Sequence, residues 1–236
     1  MEPAEYALMD DAEDRMWWYR ALHTRLGDAL AGVRGRVLDA GCGTGGLLAS
    51  LRGRPGLELV GLEYNAAAAP RAAAKSAAMI VRGSINALPF ADASFAAAVS
   101  ADVLCHAAVT PPTALAELRR VLRPGGLLVL NMPSYQWLLG MHDRRVHNAR
   151  RTTAGQLARE LAAAGFAHVV ARYWNTLLLP LMVVQRKLLA RGDSASDVAA
   201  FPPFVDATFF AITALERRLG LSMPAGGSVL ATAVRP

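Results

Sequence analysis

Val37-Leu38-Asp39-Ala40-Gly41-Cys42-Gly43-Thr44-Gly45-Gly46 is a short apolar strand that ends in an acid and runs straight into a glycine-rich turn. Glycines in that turn allow positive φ and leave no Cβ between backbone and ligand, so a nucleoside-bearing cofactor can lie against bare peptide. On either side, short leucine-rich or β-branched strands alternate with amphipathic helical stretches, the pattern of an α/β doubly wound sheet. Strands are expected near 36–40, 57–63, 79–82, 95–100, 126–132, 167–174 and 227–234, and helices near 45–53, 66–77, 111–122 and 154–164. Pro111-Pro112 and Thr152-Thr153 mark helix starts and Gly165 a stop. The alanine-rich helix over 66–78 is expected to be interrupted at Pro70.

Gly41, Gly43 and Gly46 also satisfy the G-x-G-x-x-G fingerprint of nicotinamide and flavin enzymes. Asp39 separates the readings, because a carboxylate at the strand end repels a pyrophosphate and holds a cationic methionine head group. With that acid, the decapeptide resembles motif I of the class I S-adenosylmethionine (SAM)-dependent methyltransferases. Leu59-Val60-Gly61-Leu62-Glu63 resembles the family's second strand, whose terminal acid takes the ribose hydroxyls. Gly83-Ser84-Ile85-Asn86-Ala87-Leu88-Pro89-Phe90 is similar to its Gly-Asp-x-x-x-Leu-Pro-Phe stretch, and Arg123-Pro124-Gly125-Gly126 to its entry into the fifth strand. Ser84 departs from the usual Asp; its hydroxyl still accepts a hydrogen bond from an adenine amino group, without charge assistance.

The resemblance implies a Rossmann-like sheet of order 3-2-1-4-5-7-6 with an antiparallel last strand. It also implies SAM as cofactor, S-adenosylhomocysteine as product, and a cofactor wall of Asp39, Gly41, Cys42, Gly43, Glu63, Tyr64, Ser84, Ile85, Ser100, Ala101 and His106. One methyltransferase domain is expected over the whole chain, with a helical cap over 1–34 and a helical lid over 175–226. The lid is expected to hold helices near 176–191 and 204–219, joined by a linker at 192–196. Loops of that size at a sheet edge are commonly lids or interfaces.

Methyl transfer from a sulfonium needs alignment and water exclusion, and a base only when the nucleophile carries a proton. Met141-His142-Asp143-Arg144-Arg145-Val146-His147 follows the fifth strand, where open α/β sheets bind ligands. His142 and His147 are the candidate bases; Arg144 and Arg145 are candidate clamps for an anionic group on the acceptor. Tyr135 is expected to wall the acceptor pocket, and Trp17, Trp18 and Tyr19 to close over it. Asn131-Met132-Pro133-Ser134-Tyr135 invites comparison with the Asn/Asp-Pro-Pro-Tyr motif of exocyclic-amine methyltransferases, but it ends the fifth strand and not the fourth.

The 236 residues, 53% hydrophobic, suffice for a large single core. No apolar run approaches the roughly 18 residues that span a bilayer, since Leu177 to Val184 is cut by Pro180 and followed by Gln185-Arg186-Lys187. The acidic start is the opposite of a secretory signal, so a cytoplasmic setting is expected. Cys42 and Cys105 lack metal-type spacing to any histidine and read as free thiols; no metal site is expected. The net charge of +6 is almost wholly arginine. Aromatics are not interleaved with those arginines, which disfavours a nucleic-acid partner.

The leading expectation is methyl transfer to a small, largely apolar acceptor, anionic or lipid-linked, by a monomer or homodimer able to touch a membrane surface through its apolar insertion. A nucleic-acid methyltransferase, a SAM-binding helper or cyclase, and a nicotinamide enzyme are the competing readings.

Overall fold

The computed structural model describes residues 3–186, 201–220 and 223–236. Among them, β1 (Gly35–Ala40), β2 (Leu57–Glu63), β3 (Met79–Arg82), β4 (Phe95–Ala101) and β5 (Leu122–Pro133) are parallel. With β6 (Ala167–Trp174) and β7 (Ser228–Val234) they form a seven-stranded sheet of order β3-β2-β1-β4-β5-β7-β6. β7 is antiparallel to both neighbours, pairing Leu230 with Asn131 of β5 and Ser228 with Trp174 of β6.

Both faces of the central strands are covered, and the period of two decides which layer each side chain enters. Val37, Ala97, Val99 and Val129 pack with α2 (Trp17–Ala29) and α3 (Gly46–Leu51), whereas Leu38, Ala98, Leu128 and Leu130 pack with α5 (Pro111–Val121) and α7 (Ala154–Ala163). Thr153 and Gln156 form a reciprocal capping box at the start of α7.

Two expectations need correction. β5 begins at Leu122 and not near 126, because Leu122 pairs with Phe95 of β4; Gly125 N also donates to Arg235 O at 2.8 Å and Arg235 N to Gly126 O at 3.0 Å. Pro70 does not interrupt α4 (Ala68–Ser76), since it lies in the first turn, where an N–H would have no intrahelical partner. Asn65 caps that helix, its Oδ1 accepting from Ala67 N at 2.8 Å and Ala68 N at 3.2 Å.

The N-terminal segment forms α1 (Pro3–Ala12) and α2; α6 is the short Met141–Arg145 helix. The 175–226 stretch contributes α8 (Leu179–Val184) and α9 (Pro203–Arg218), while the expected linker at 192–196 lies outside the described residues. These two accessory pieces, read separately in the sequence, pack on each other. Trp17 N donates to Asp206 Oδ1 at 2.7 Å, the Trp17 ring meets Phe209 edge-on at 5.5 Å, and Arg25 pairs with Glu216 at 3.3 Å. Glu216, only 2% exposed, accepts from Asn175 N and Thr176 N at 2.8 Å each and so fixes the chain as it leaves β6. No helix among the described residues is long and apolar enough to cross a membrane.

Candidate active site

The parallel pairing of β1 and β2 brings their acidic carboxyl ends together. Gly41 N and Cys42 N both donate to Leu62 O, at 2.8 and 2.9 Å, which folds the glycine turn back over β2. Gly43 has φ +54°, and a Cβ there would stand 2.7 Å from Met9 Cε of α1. Backbone hydrogen bonds from Gly43 N at 2.9 Å and Asn65 N at 2.7 Å reach the two oxygens of Glu63. These two bonds orient the carboxylate at the turn.

Asp39 is 3% exposed, and burial, followed by the charges of Glu63 and Glu13, pushes its pKa up to about 8. Glu13 comes from the N-terminal segment and accepts from Thr44 Oγ1 and Lys75 Nζ at 2.6 Å each. Its burial outweighs Lys75 and raises its pKa as well. Three carboxylates around a bare glycine turn fit a cationic nucleoside, whose charge would relieve their mutual repulsion.

This turn forms one end of a cavity of about 860 Å³. Of the expected cofactor wall, Asp39, Gly41, Cys42, Gly43, Glu63 and Tyr64 line it, as do Ser84, Ile85, Ala101 and His106. Ser100 does not: it is fully buried, and its Oγ donates to Ala40 O at 2.9 Å, tying β4 to β1. Trp17, Trp18, Tyr19 and His147 also line the cavity. Tyr135 does not belong to the lining and stacks instead on Tyr173 at 5.5 Å and Trp137 at 5.8 Å. His142 lies in α6, with its side chain outside the described residues.

Arg144 and Arg145 also miss the cavity, because α6 turns them away; Arg151 and Arg186 reach it in their place. Both grip Asp143, which is fully buried, at 2.8 and 3.0 Å. Burial raises the Asp143 pKa, but the charge and hydrogen bonds of Arg151 prevail and hold it below the usual carboxylate range.

Several lining residues escaped the sequence reading. Asp102 stands one residue beyond β4 with φ +53°, and burial pushes its pKa up to about 7 against a 3.0 Å hydrogen bond from Asn131 Nδ2. Asn131 Oδ1 in turn accepts from Trp174 Nε1 at 2.8 Å. His23 of α2 also lines the cavity, and burial lowers its pKa to about 4. Burial also lowers the pKa of His106, although the carbonyls of Val146 and His147 favour its protonated ring. Leu178 just before α8, Met182 of α8 and Phe209 of α9 add apolar side chains to the lining. Among the described residues, no cluster of His, Cys, Asp and Glu could hold a metal ion.

Residues 38–130 match the profile of a methyltransferase domain family. An uncharacterized methyltransferase of Mycolicibacterium paratuberculosis is 34% identical over 213 residues, covering 86% of this chain and 78% of the relative. The 24-methylenesterol C-methyltransferase 2 of Oryza sativa subsp. japonica is 36% identical over 127 residues, 50% of this chain. The match covers only 34% of that longer relative. A solved SAM-dependent methyltransferase of Thermotoga maritima aligns with TM-score 0.62 at 18% identity, covering 99% of this chain and 96% of the other, which is a likeness of fold.

Proposed function

The chain belongs to the class I SAM-dependent methyltransferases, and on that premise we propose that it transfers a methyl group from SAM to a small, largely apolar acceptor. The observation that carries this reading is the mixed lining of one cavity: buried acids and bare glycine backbone together with apolar side chains from α8 and α9. Bound SAM supplies a methyl on a positively charged sulfur, which leaves as a neutral thioether. Asp39 is placed for the methionine ammonium, Glu63 for the ribose diol, and Ser84 with Ile85 for the adenine edge. α2 and α9, joined by the Trp17–Asp206 hydrogen bond, act as one cover and exclude water from the reacting atoms.

Acceptor chemistry is the finer part of the proposal. The sterol relative acts on an apolar molecule, in keeping with the aromatic and aliphatic walls here. If the nucleophile carries a proton, His147 and His106 both line the cavity and can take it, and burial keeps the His106 ring neutral near pH 7. An anion clamp at Arg144 and Arg145 has no support, since neither lines the cavity.

Incubation with methyl-labelled SAM and a panel of apolar alcohols, phenols and amines should release S-adenosylhomocysteine and label an acceptor. Calorimetry that detects no heat with either nucleoside overturns the reading. Glu63→Ala should weaken S-adenosylhomocysteine binding by about 2–4 kcal/mol, the loss of two charge-assisted hydrogen bonds, with the far-ultraviolet circular dichroism unchanged. His147→Ala should instead lower turnover by roughly 100-fold while leaving that affinity within a factor of two. Retention of full turnover removes His147 as the base.

A further inference from the structure

Among the described residues, three buried side-chain polar atoms have no hydrogen-bond partner: Trp17 Nε1, His106 Nδ1 and Asn175 Oδ1. All three residues line the same cavity. Buried polar atoms in folded proteins are nearly always paired, so three orphans converging on one space mark where a ligand's own polar groups belong. His106 stands just beyond β4, near the cofactor end. Trp17 and Asn175, 8% and 4% exposed, are both anchored to α9, Trp17 through Asp206 and Phe209 and Asn175 through Glu216.

The remainder of both residues is engaged. Trp17 N is spent on Asp206 and its ring on Phe209. Asn175 N donates to Glu216 Oε1 at 2.8 Å, and its carbonyl accepts from Gly227 N at 3.1 Å. Both backbones are therefore fixed, and only the side-chain tips remain unsatisfied. Those tips are neutral, one an N–H donor and the other a carbonyl acceptor. The two guanidiniums that line the cavity are themselves engaged, Arg151 and Arg186 both pairing with Asp143 at 2.8 and 3.0 Å.

We propose that Trp17 and Asn175 determine acceptor specificity by recognising a neutral apolar alcohol or phenol. Hydroxyl is the simplest group that both accepts, here from Trp17 Nε1–H, and donates, here to Asn175 Oδ1. Calling this ligand the methyl acceptor rests on the function proposed above; the recognition itself does not.

Two matched probe pairs test it: farnesol against the hydrocarbon farnesene, and 4-octylphenol against octylbenzene, each titrated into the full chain with and without S-adenosylhomocysteine. At least one hydroxylated probe should bind about tenfold or more tighter than its hydrocarbon partner. In nitrogen-15 spectra the Trp17 indole N–H resonance, identified by its loss in Trp17→Phe, should move downfield with the hydroxylated probe and stay in place with the hydrocarbon. Trp17→Phe and Asn175→Ala should each shrink the tenfold preference severalfold; the indole shift is read on the unsubstituted chain and does not depend on either variant folding. Equal affinities within both pairs, absence of binding by both hydroxylated probes, or an unmoved indole resonance at saturation overturns the proposal. If a hydroxylated probe binds as expected while S-adenosylhomocysteine does not, the recognition stands and the methyltransferase reading fails.

Discussion

Asp39→Asn should raise the melting temperature of the ligand-free protein at pH 8 by several degrees while lowering its affinity for S-adenosylhomocysteine by roughly 10- to 100-fold. Opposite signs follow from one cause. The carboxyl is pushed from 3.8 up to about 8 by burial and by Glu63 and Glu13, so the folded chain holds a proton that the unfolded chain gives up. Stability contributed by that proton is fully present below pH 4 and is lost as pH rises toward 8. Asparagine removes the penalty. The same linkage governs binding: a ligand ammonium favours the ionised form, so affinity of the unsubstituted protein should climb with pH from 6 to 8, by up to tenfold per unit, with release of a proton. Calorimetry in buffers of different ionisation enthalpy counts that proton. A flat pH profile that is the same in Asp39→Asn would show that the carboxyl does not face the ligand's charge.

Asp143→Ala should cost about 3–5 kcal/mol of unfolding free energy, read from urea denaturation at pH 7. Alanine would strand the buried Arg151 and the Arg186 guanidinium, together with Gly140 N, which donates to Asp143 Oδ2 at 2.8 Å. Two like charges would then face each other on the cavity wall without the carboxylate between them. Arg186→Met should cost much less, since it leaves the bidentate Arg151–Asp143 pair whole. Because the arginines hold the Asp143 carboxyl below 3.8, its contribution is present above that pH and lost as acid is added. A loss below about 1 kcal/mol in Asp143→Ala would mean that water or rearrangement replaces the carboxylate.

The cofactor end was legible because it is local. A strand, an acid and four glycines occupy ten consecutive residues, and the second acid ends the adjacent parallel strand, which brings every residue of the expected cofactor wall but Ser100 onto one cavity. Strand spacing and the resemblance together gave the sheet order. The acceptor end is assembled from pairings across long stretches of chain, such as Trp17 with Asp206 and Asn175 with Glu216, and no periodicity announces those. A dense run of histidine and arginine at 142–151 points to Arg144 and Arg145, yet it is Asp143 of α6 and Arg151, in the segment between α6 and α7, that are buried at the cavity. Asp102 lies one residue beyond Ser100 and Ala101, the β4 positions that the resemblance implies, on a left-handed turn that no sequence pattern marks at a non-glycine residue.

Insertion of β7 between β5 and β6 has a consequence for biosynthesis. β6 is complete at Trp174, but the strand that hydrogen-bonds it to the sheet begins only at Ser228. At a ribosomal pace of about 5–20 residues per second, the nascent chain spends roughly 3–11 seconds with the flank of β5 and both flanks of β6 open to pairing with other chains. Synthesis speed over that interval, and any chaperone acting in it, therefore bears on the yield of native protein.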